Sequence, residues 1–339
     1  MLENLTRYLS NITVGEPITF KNLTVFPLAG PVLADVDYVT LDEAIASGSV
    51  SITEISEAGA VSFLRFTNEG AKPVLILDGE ELVGAKQNRI VNLTILAPAK
   101  EALDIPVSCV EAGRWGYQSR EFASAKRSVY ASLRARNAEK VTMNLSRSGS
   151  PSADQSEIWA DIAEKSFRMK AESPTAAMAQ MYESHQAPLD SFAENLRAAT
   201  DQCGAVFAIQ DRIVGFDVFD KCTTLEKLYP KLISSYALDA LEADDAPFTV
   251  PSVRDAKALI AEVSEGAEMR AFPAVGEGTD VRITGSNVIG AALVAGVHPV
   301  HACGFRRRSS DCTGREDHRI SGTRFARASF RWHNRESQE

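Results

Sequence analysis

The spacing of apolar residues changes character twice along the chain. Between residues 13 and 115 they fall in short runs rich in Val, Ile, Thr and Phe, among them PITFKNLTVFPLAG, VSITEIS, VSFLRFT, PVLILDG, NRIVNLTIL and LDIPVSCVE. Gly, Pro, Asn or Asp separates these runs, a pattern that predicts strands. Ahead of them Leu2, Leu5, Leu9 and Ile12 recur at steps of three and four, which predicts a short amphipathic helix. TLDEAIASG, lying among the strands, predicts one further short helix with Gly48 just past its end.

From residue 120 to 200 the period is helical. EFASAKRSVYASLRARNAEK reads as helix and NLSRSGSPSADQ as a polar loop. A helix is expected from Ser152 or Asp154 through SEIWADIAEKSFRMKA, then two more around TAAMAQMYESH and PLDSFAENLRAAT, with Pro188 in the first turn of the last. Residues 204–305 are mixed. GAVFAIQDRIVGFDVF predicts a hairpin, and MRAFPAV, TDVRITG and NVIGAALVAGVHPVHACGF predict strands. Between them lie two helices: TTLEKLYPKLISSYALDAL, with Thr223 and Glu226 at capping-box spacing, and SVRDAKALIAEVSEG, opened by Ser252 and Asp255 and closed by Gly266.

Sheet, helices, sheet is the order of an α+β fold. A mostly antiparallel N-terminal sheet region, central helices and C-terminal hairpins are expected to join one body over residues 1–305. Val74–Arg89, Val206–Phe219 and Ile289–Phe305 share a loose pattern of apolar strand, tight turn and strand with one polar residue inside. Short hairpins resemble one another in this way without being repeats.

Composition narrows the class. The 339 residues include five cysteines, none in a CxxC pair, which fits a reduced and hence cytoplasmic setting. The five histidines show no metal-ligand spacing, so no metal site is expected. No run of 18 apolar residues occurs and the N-terminus lacks a signal-peptide pattern, so no membrane contact is expected. Residues 306–339 hold nine Arg, no Lys and five acidic residues, leaving 27 basic and 40 acidic residues in the rest. A body this acidic does not suit nucleic acid. The tail's composition predicts disorder, and His318, His333 and Cys312 within it are given no role.

Candidate chemistry gathers around ILDGEELVGAKQNRIVNLTIL, residues 76–96, where charge joins two apolar ends. Asp78-Gly79 reads as the turn, with a return strand from about Lys86 to Leu96. Gln87, Arg89, Val91, Leu93 and Ile95 then share one face, and Ile105, Val107, Cys109 and Glu111 share another. Both faces drift from apolar to charged, which points to a pocket rim, or else to an Arg89–Glu111 salt bridge joining two strands. Glu80 and Glu81 read as a solvated turn, and Lys86 and Asn88 as facing solvent.

LDGEELVGAKQNRIVNLTIL followed by IPVSCVEAGRW resembles the family named for association with ADP-ribosylglycohydrolase (ARG) and rhodanese-phosphatase proteins. The resemblance extends through DQSEIW, GFDVF and SYALDAL to about Phe305. It implies a setting in NAD or ADP-ribose metabolism and leaves the reaction and any cofactor open. Its positions here are Glu80, Glu81, Gln87, Asn88, Arg89, Cys109, Glu111, Arg114 and Trp115.

The expected function is the handling of a small, anionic, nucleotide-derived metabolite. Gln87, Asn88, Arg89, Arg114 and Trp115 would bind it: an Arg fork suits phosphate or carboxylate, and a Trp ring stacks on a base. Glu81 and Glu111 would supply hydrolase-like acid–base chemistry if the protein is an enzyme. The alternative is a non-catalytic sensor or a protein-interaction module, with ADP-ribosylglycohydrolase or phosphatase proteins as partners by resemblance. Cys109 reads as core, Trp159 as mainly core, Asp217 as a buried carboxylate held by backbone donors, and His301 as a satisfied core histidine. VGEGTD lacks the strand–helix context of a phosphate loop. Amide exchange across Asp311–Arg331 should show no protection, and loss of the tail should leave folding and ligand binding intact; strong protection there would overturn the disordered assignment.

Overall fold

A computed structural model describes residues 1–31, 36–56, 61–243 and 246–307. The expected irregular tail beyond Arg308 lies outside these residues. The chain begins with α1 (Leu2–Ser10), β1 (Thr13–Val14), β2 (Ile18–Phe20), β3 (Leu23–Ala29), β4 (Val39–Thr40), α2 (Leu41–Ala46), β5 (Val50–Glu54) and β6 (Phe63–Asn68). It continues with β7 (Val74–Ile76), β8 (Glu80–Gly84), β9 (Arg89–Val91), β10 (Ile95–Ala97), β11 (Ala102–Cys109) and β12 (Phe122–Ser128). The helices α3 (Ala131–Ser148), α4 (Gln155–Arg168), α5 (Ala179–Ser184) and α6 (Gln186–Asn195) follow. Next come β13 (Gly204–Ile209), β14 (Arg212–Phe219), α7 (Cys222–Glu242) and α8 (Val253–Glu265). The last strands are β15 (Glu268–Pro273), β16 (Thr279–Thr284), β17 (Val288–Ala295) and β18 (His298–Arg306).

The fold is α+β, with mostly antiparallel sheets, and the C-terminal strands join the sheet that contains β1 and β3. That sheet runs β1-β3-β13-β14-β18-β17-β16-β15, with β2 beside β3. Its alternating residues feed two cores. Leu23, Val25, Phe207 and Phe219 pack with α7, while Phe26, Leu28, Val206 and Phe216 pack with α1 and α8. Coverage on both faces explains why GAVFAI is apolar throughout rather than alternating. A second sheet, β12-β8-β9-β11-β6-β5, and a short one, β10-β7-β4, share a third core closed by α2 and the end of α3.

Three sequence expectations change. The stretch EFASAKRSVYASLRARNAEK is not one helix: Phe122–Ser128 forms β12 against β8, with a register shift between Ser124 and Ser128, and α3 begins only at Ala131. Pairing with an otherwise open strand edge overrides the helical propensity of Ala, Lys and Arg. α7 starts at Cys222 with Lys221 as its cap, so Thr223 and Glu226 form no capping box. The return strand from Lys86 to Leu96 is two strands. β7 pairs with β10, and β8 pairs with β9. The whole is one long hairpin bent in the middle: Asp78-Gly79 marks the bend, and Ala85–Asn88 is the turn. Gly79 sits at φ +81°, and a Cβ there would meet Val129 and Arg134 at 3.0 Å, so the bend requires glycine.

Arg134, on α3, ties this bend to the large sheet. Its guanidinium donates to Asp78 at 3.2 and 3.1 Å and to Asp217 at 3.1 and 2.7 Å. His301 Nε2 lies 3.2 Å from Asp217, and His301 Nδ1 lies 3.0 Å from Thr94 Oγ1. Thr94 closes the ring by donating to Asp78 Oδ1 at 3.2 Å. Asp217 is therefore held by the Arg134 and His301 side chains rather than by backbone donors, in contrast to the sequence reading. His301 is the satisfied core histidine that was expected.

Asp217 is fully buried; burial pushes its carboxyl up, but Arg134 and His301 outweigh it and hold the group well below the usual carboxylate range. A depressed folded value gives stability that is present above the unfolded value of about 4 and lost as pH falls below it. Asp217→Asn should cost about 3–5 kcal/mol in urea unfolding, because it breaks one side of a buried pair. Its melting temperature should also fall less steeply than that of the wild type below about pH 4. Equal stability and equal acid slopes would show that the ring contributes nothing.

Candidate functional site

The charged turn is buried, not solvated. Lys86, Gln87 and Asn88 are all buried, as are Glu80 and Glu81. The turn folds inward because its polar groups find partners there. Gln87 Nε2 donates to the Glu111 carbonyl, and the Asn88 amide donates to Glu111 Oε2 at 3.3 Å. Arg114 clasps the turn from below. Its Nε donates to Glu111 Oε2 at 2.8 Å, its Nη1 to the Ala85 and Gly116 carbonyls at 2.8 and 3.1 Å, and its Nη2 to Asn88 Oδ1 at 2.9 Å. Thr175 donates to the other Glu111 oxygen at 2.8 Å. Although burial pushes the Glu111 carboxyl up, hydrogen bonds from Arg114 and Thr175 hold it below its ordinary value. Glu111 is thus an ionised anchor for the turn.

Arg89 is different. It lies directly opposite Cys109 on β11 and Leu82 on β8, and its side chain is wholly buried. Nη1 donates to both oxygens of Gln87 at 3.0 Å. Nε and Nη2 have no hydrogen-bond acceptor among the described residues. The carboxylate facing it is Glu54 at 3.7 Å, whose two oxygens are equally without donors. Arg89 and Glu111 therefore do not form the salt bridge allowed by the sequence: Glu111 is taken by Arg114, and Arg89 faces Glu54. Burial lowers the Arg89 guanidinium below its ordinary value. Burial also pushes the neighbouring Cys109 thiol up to about 11, so it stays protonated near neutral pH and is no nucleophile.

An aromatic lid lies over this guanidinium. The Trp115 ring centroid is 5.5 Å from the guanidinium carbon, yet Trp115 remains 50% exposed. Lys86 Nζ lies 5.5 Å from the Trp115 centroid and 5.1 Å from that of Tyr117, which is also exposed. Two cations and two exposed aromatic residues thus meet at one corner. Trp115 is not buried as a packing anchor, and Arg114 is turned inward rather than to solvent.

Glu81 stands apart. It pairs with Ile90, so its side chain leaves the sheet on the face opposite Arg89. There it meets Arg127, which stacks on Tyr182 at 5.4 Å. Burial raises the Glu81 carboxyl above its ordinary value, against the pull of Arg127. The structure brings together Gln87, Asn88, Arg89, Glu111, Arg114 and Trp115, and places Glu81 across the sheet from them. Glu54 was missed by sequence reading, although Ile52 and Glu54 show the same drift from apolar to charged that marked the other two strands.

One further cluster of titratable groups acts structurally. Asp78, Asp217, His301 and Cys303 offer atoms within 4.8 Å of one another, a spacing that suits a metal. Arg134 already sits between the two carboxylates, and burial raises the Cys303 thiol well above its ordinary value. A cation there would have to compete with a guanidinium for both carboxylates and ionise a thiol that burial keeps neutral, so we read the group as an ion-pair ring. In VGEGTD, Gly276 sits at φ +92° and packs against the Leu96 carbonyl, a backbone junction and not a phosphate loop. Arg114→Ala should lower unfolding free energy by about 1–3 kcal/mol by stripping Glu111 of its main donor. It should also speed amide exchange at Gly116 and Gln118, which donate to the Lys86 and Ala85 carbonyls. Unchanged exchange at both amides would refute the clasp.

The profile of the ARG and Rhodanese-Phosphatase-superfamily-associated Protein domain matches residues 11–305, which covers the bent hairpin, Arg114, the Arg134 ring and β18 up to Phe305. Comparison with curated proteins and with solved structures gives no match. A match over residues 11–305 of the 339 shows that the chain belongs to the ARG and rhodanese-phosphatase-superfamily-associated protein domain family.

Proposed function

We propose that the protein is a binding domain for a small, anionic, nucleotide-derived metabolite, taken at the corner formed by Lys86, Arg89, Trp115 and Tyr117. The observation that carries this reading is Arg89. A buried charged group left without acceptors costs about 1–3 kcal/mol or more. A phosphate or carboxylate oxygen reaching under the Trp115 ring would supply the acceptors that Nε and Nη2 lack. Trp115 and Tyr117, both exposed, could stack on a base, worth about 1–3 kcal/mol per base. Lys86 between the rings adds a second cation for the anionic part.

The family's named association with ARG proteins supports ADP-ribose or NAD as the first ligands to try. Binding fits the arrangement better than catalysis. Glu111 is fixed as an ionised anchor by Arg114 and Thr175, Glu81 lies across the sheet against Arg127, and Glu54 is turned to Arg89. The sensor alternative is thus the one the geometry favours.

Titration of the full chain with ADP-ribose, NAD and a phosphosugar by calorimetry, with melting temperature read on the same samples, tests the proposal. Trp115→Ala should leave the melting temperature near that of the wild type and weaken the best ligand about tenfold or more, the loss of one stacked base. Arg89→Lys should weaken it comparably, since a lysine cannot reproduce the planar fork. Wild-type affinity in both folded variants would rule the corner out.

A further inference from the structure

We propose that a second site, separate from the Trp115 corner, binds a phosphate monoester in the cleft between α3 and strands β15–β17. The cleft encloses about 240 Å³. Four arginines reach its wall, Arg147 from the last turn of α3, Arg270 from β15, Arg282 from β16 and Arg307 just beyond β18, against two glutamates, Glu139 and Glu268.

Two of these arginines stand side by side, where an anion could be shared between them. Arg270 and Arg282 are direct register partners across β15 and β16, so their side chains leave the same face side by side. Like charges opposed in this way destabilise a sheet. Each is turned towards a carboxylate two residues earlier on its own strand, Arg270 to Glu268 at 2.7 Å and Arg282 to Asp280 at 2.7 Å. Those contacts draw the guanidinium groups along their strands and put no negative charge between them. The next residue across the sheet from Arg282 is Ala291, which adds no charge beside the two arginines.

Two further donors are uncommitted. Arg147 has no acceptor among the described residues, and Arg307 Nε is buried without one, although the same guanidinium donates from Nη1 to the Gly285 carbonyl at 3.1 Å and pairs through Nη2 with Glu139 at 2.9 Å. Thr284 lines the cleft beside them. Planar forks converging from a helix and from a sheet suit the tetrahedral oxygens of a phosphate, which accepts several bidentate bonds at once. The cleft is smaller than the roughly 300–1,000 Å³ of pockets that enclose a drug-sized ligand. That favours the phosphate end of a small ester over a whole dinucleotide.

Inorganic phosphate, titrated into the full chain and followed by ³¹P NMR and melting temperature against chloride at matched ionic strength, tests the site. Saturable binding is expected, with Arg147→Ala and Arg270→Ala each weakening it about tenfold or more, as for a charge-assisted contact. Both residues are exposed, so the variants should fold, and circular dichroism would verify it. Glu268→Gln should leave binding intact or tighten it, which a general loss of structure would not do. Trp115→Ala should leave phosphate binding unchanged. The proposal is overturned if phosphate binds no better than chloride, if the Arg147→Ala/Arg270→Ala double variant binds as the wild type does, or if Trp115→Ala abolishes binding.

Discussion

Arg134 lies between two buried aspartates from distant parts of the chain, and the arrangement of the body depends on that contact. Asp78 belongs to the bend of the long hairpin, Asp217 to the centre of the nine-stranded sheet and Arg134 to the helix between them. A buried ion pair is not a strong net source of stability, because desolvation cancels much of the attraction. Its effect here is geometric. The ring through Thr94 and His301 closes only when the bend, α3, β14 and β18 stand in one relation to each other. Any other packing strands a charge in the core, at a cost far larger than a lost apolar contact. The apolar clusters supply the drive to collapse, and the ring selects which collapsed arrangement survives.

The same bend carries the candidate site. Asp78-Gly79 turns the chain out of the β10-β7-β4 sheet and into β8, and β8 leads to the Ala85–Asn88 turn. Fixing Asp78 therefore fixes where the turn can lie, and Arg114 and Glu111 complete it from β11's side. The charge in the middle of ILDGEELVGAKQNRIVNLTIL is explained on both faces. One face serves the Arg89 corner, and the other buries Glu81 against Arg127.

Much of the fold was legible in the residues. Period-two runs located most of the strands, and Ser252 with Asp255 and Gly266 marked both ends of α8. The misreadings share a cause. β12 is written in helix-forming residues and is a strand only because β8 offers it an edge. Glu80 and Glu81 look like solvated turn residues, because nothing nearby in sequence announces Lys231 or Arg127 as their partners. Charge pairing over such distances leaves no local trace. The drift from apolar to charged along a strand face was the one local sign of the site. It singled out Arg89 and Glu111, both buried, and applies equally to Glu54. It could not say which cation meets which anion, and the actual pairs are Arg114 with Glu111 and Arg89 with Glu54.

The order of strands in the large sheet sets a timetable for folding. β3 is near the N-terminus, yet its long partner is β13, some 180 residues later. Thr94 likewise waits for His301, 207 residues away, before the ring can close. During synthesis the first strands leave the ribosome with their edges open and Asp78 and Thr94 unsatisfied. Loop closure over such spans is slow compared with local hairpin formation, and open edges favour association with other chains. The bent hairpin, made almost entirely of near neighbours, can form early. The sheet that anchors it must wait until β18 has been made. A chain stopped short of β18 would keep the residues of the candidate corner but lose the contact that holds them in place.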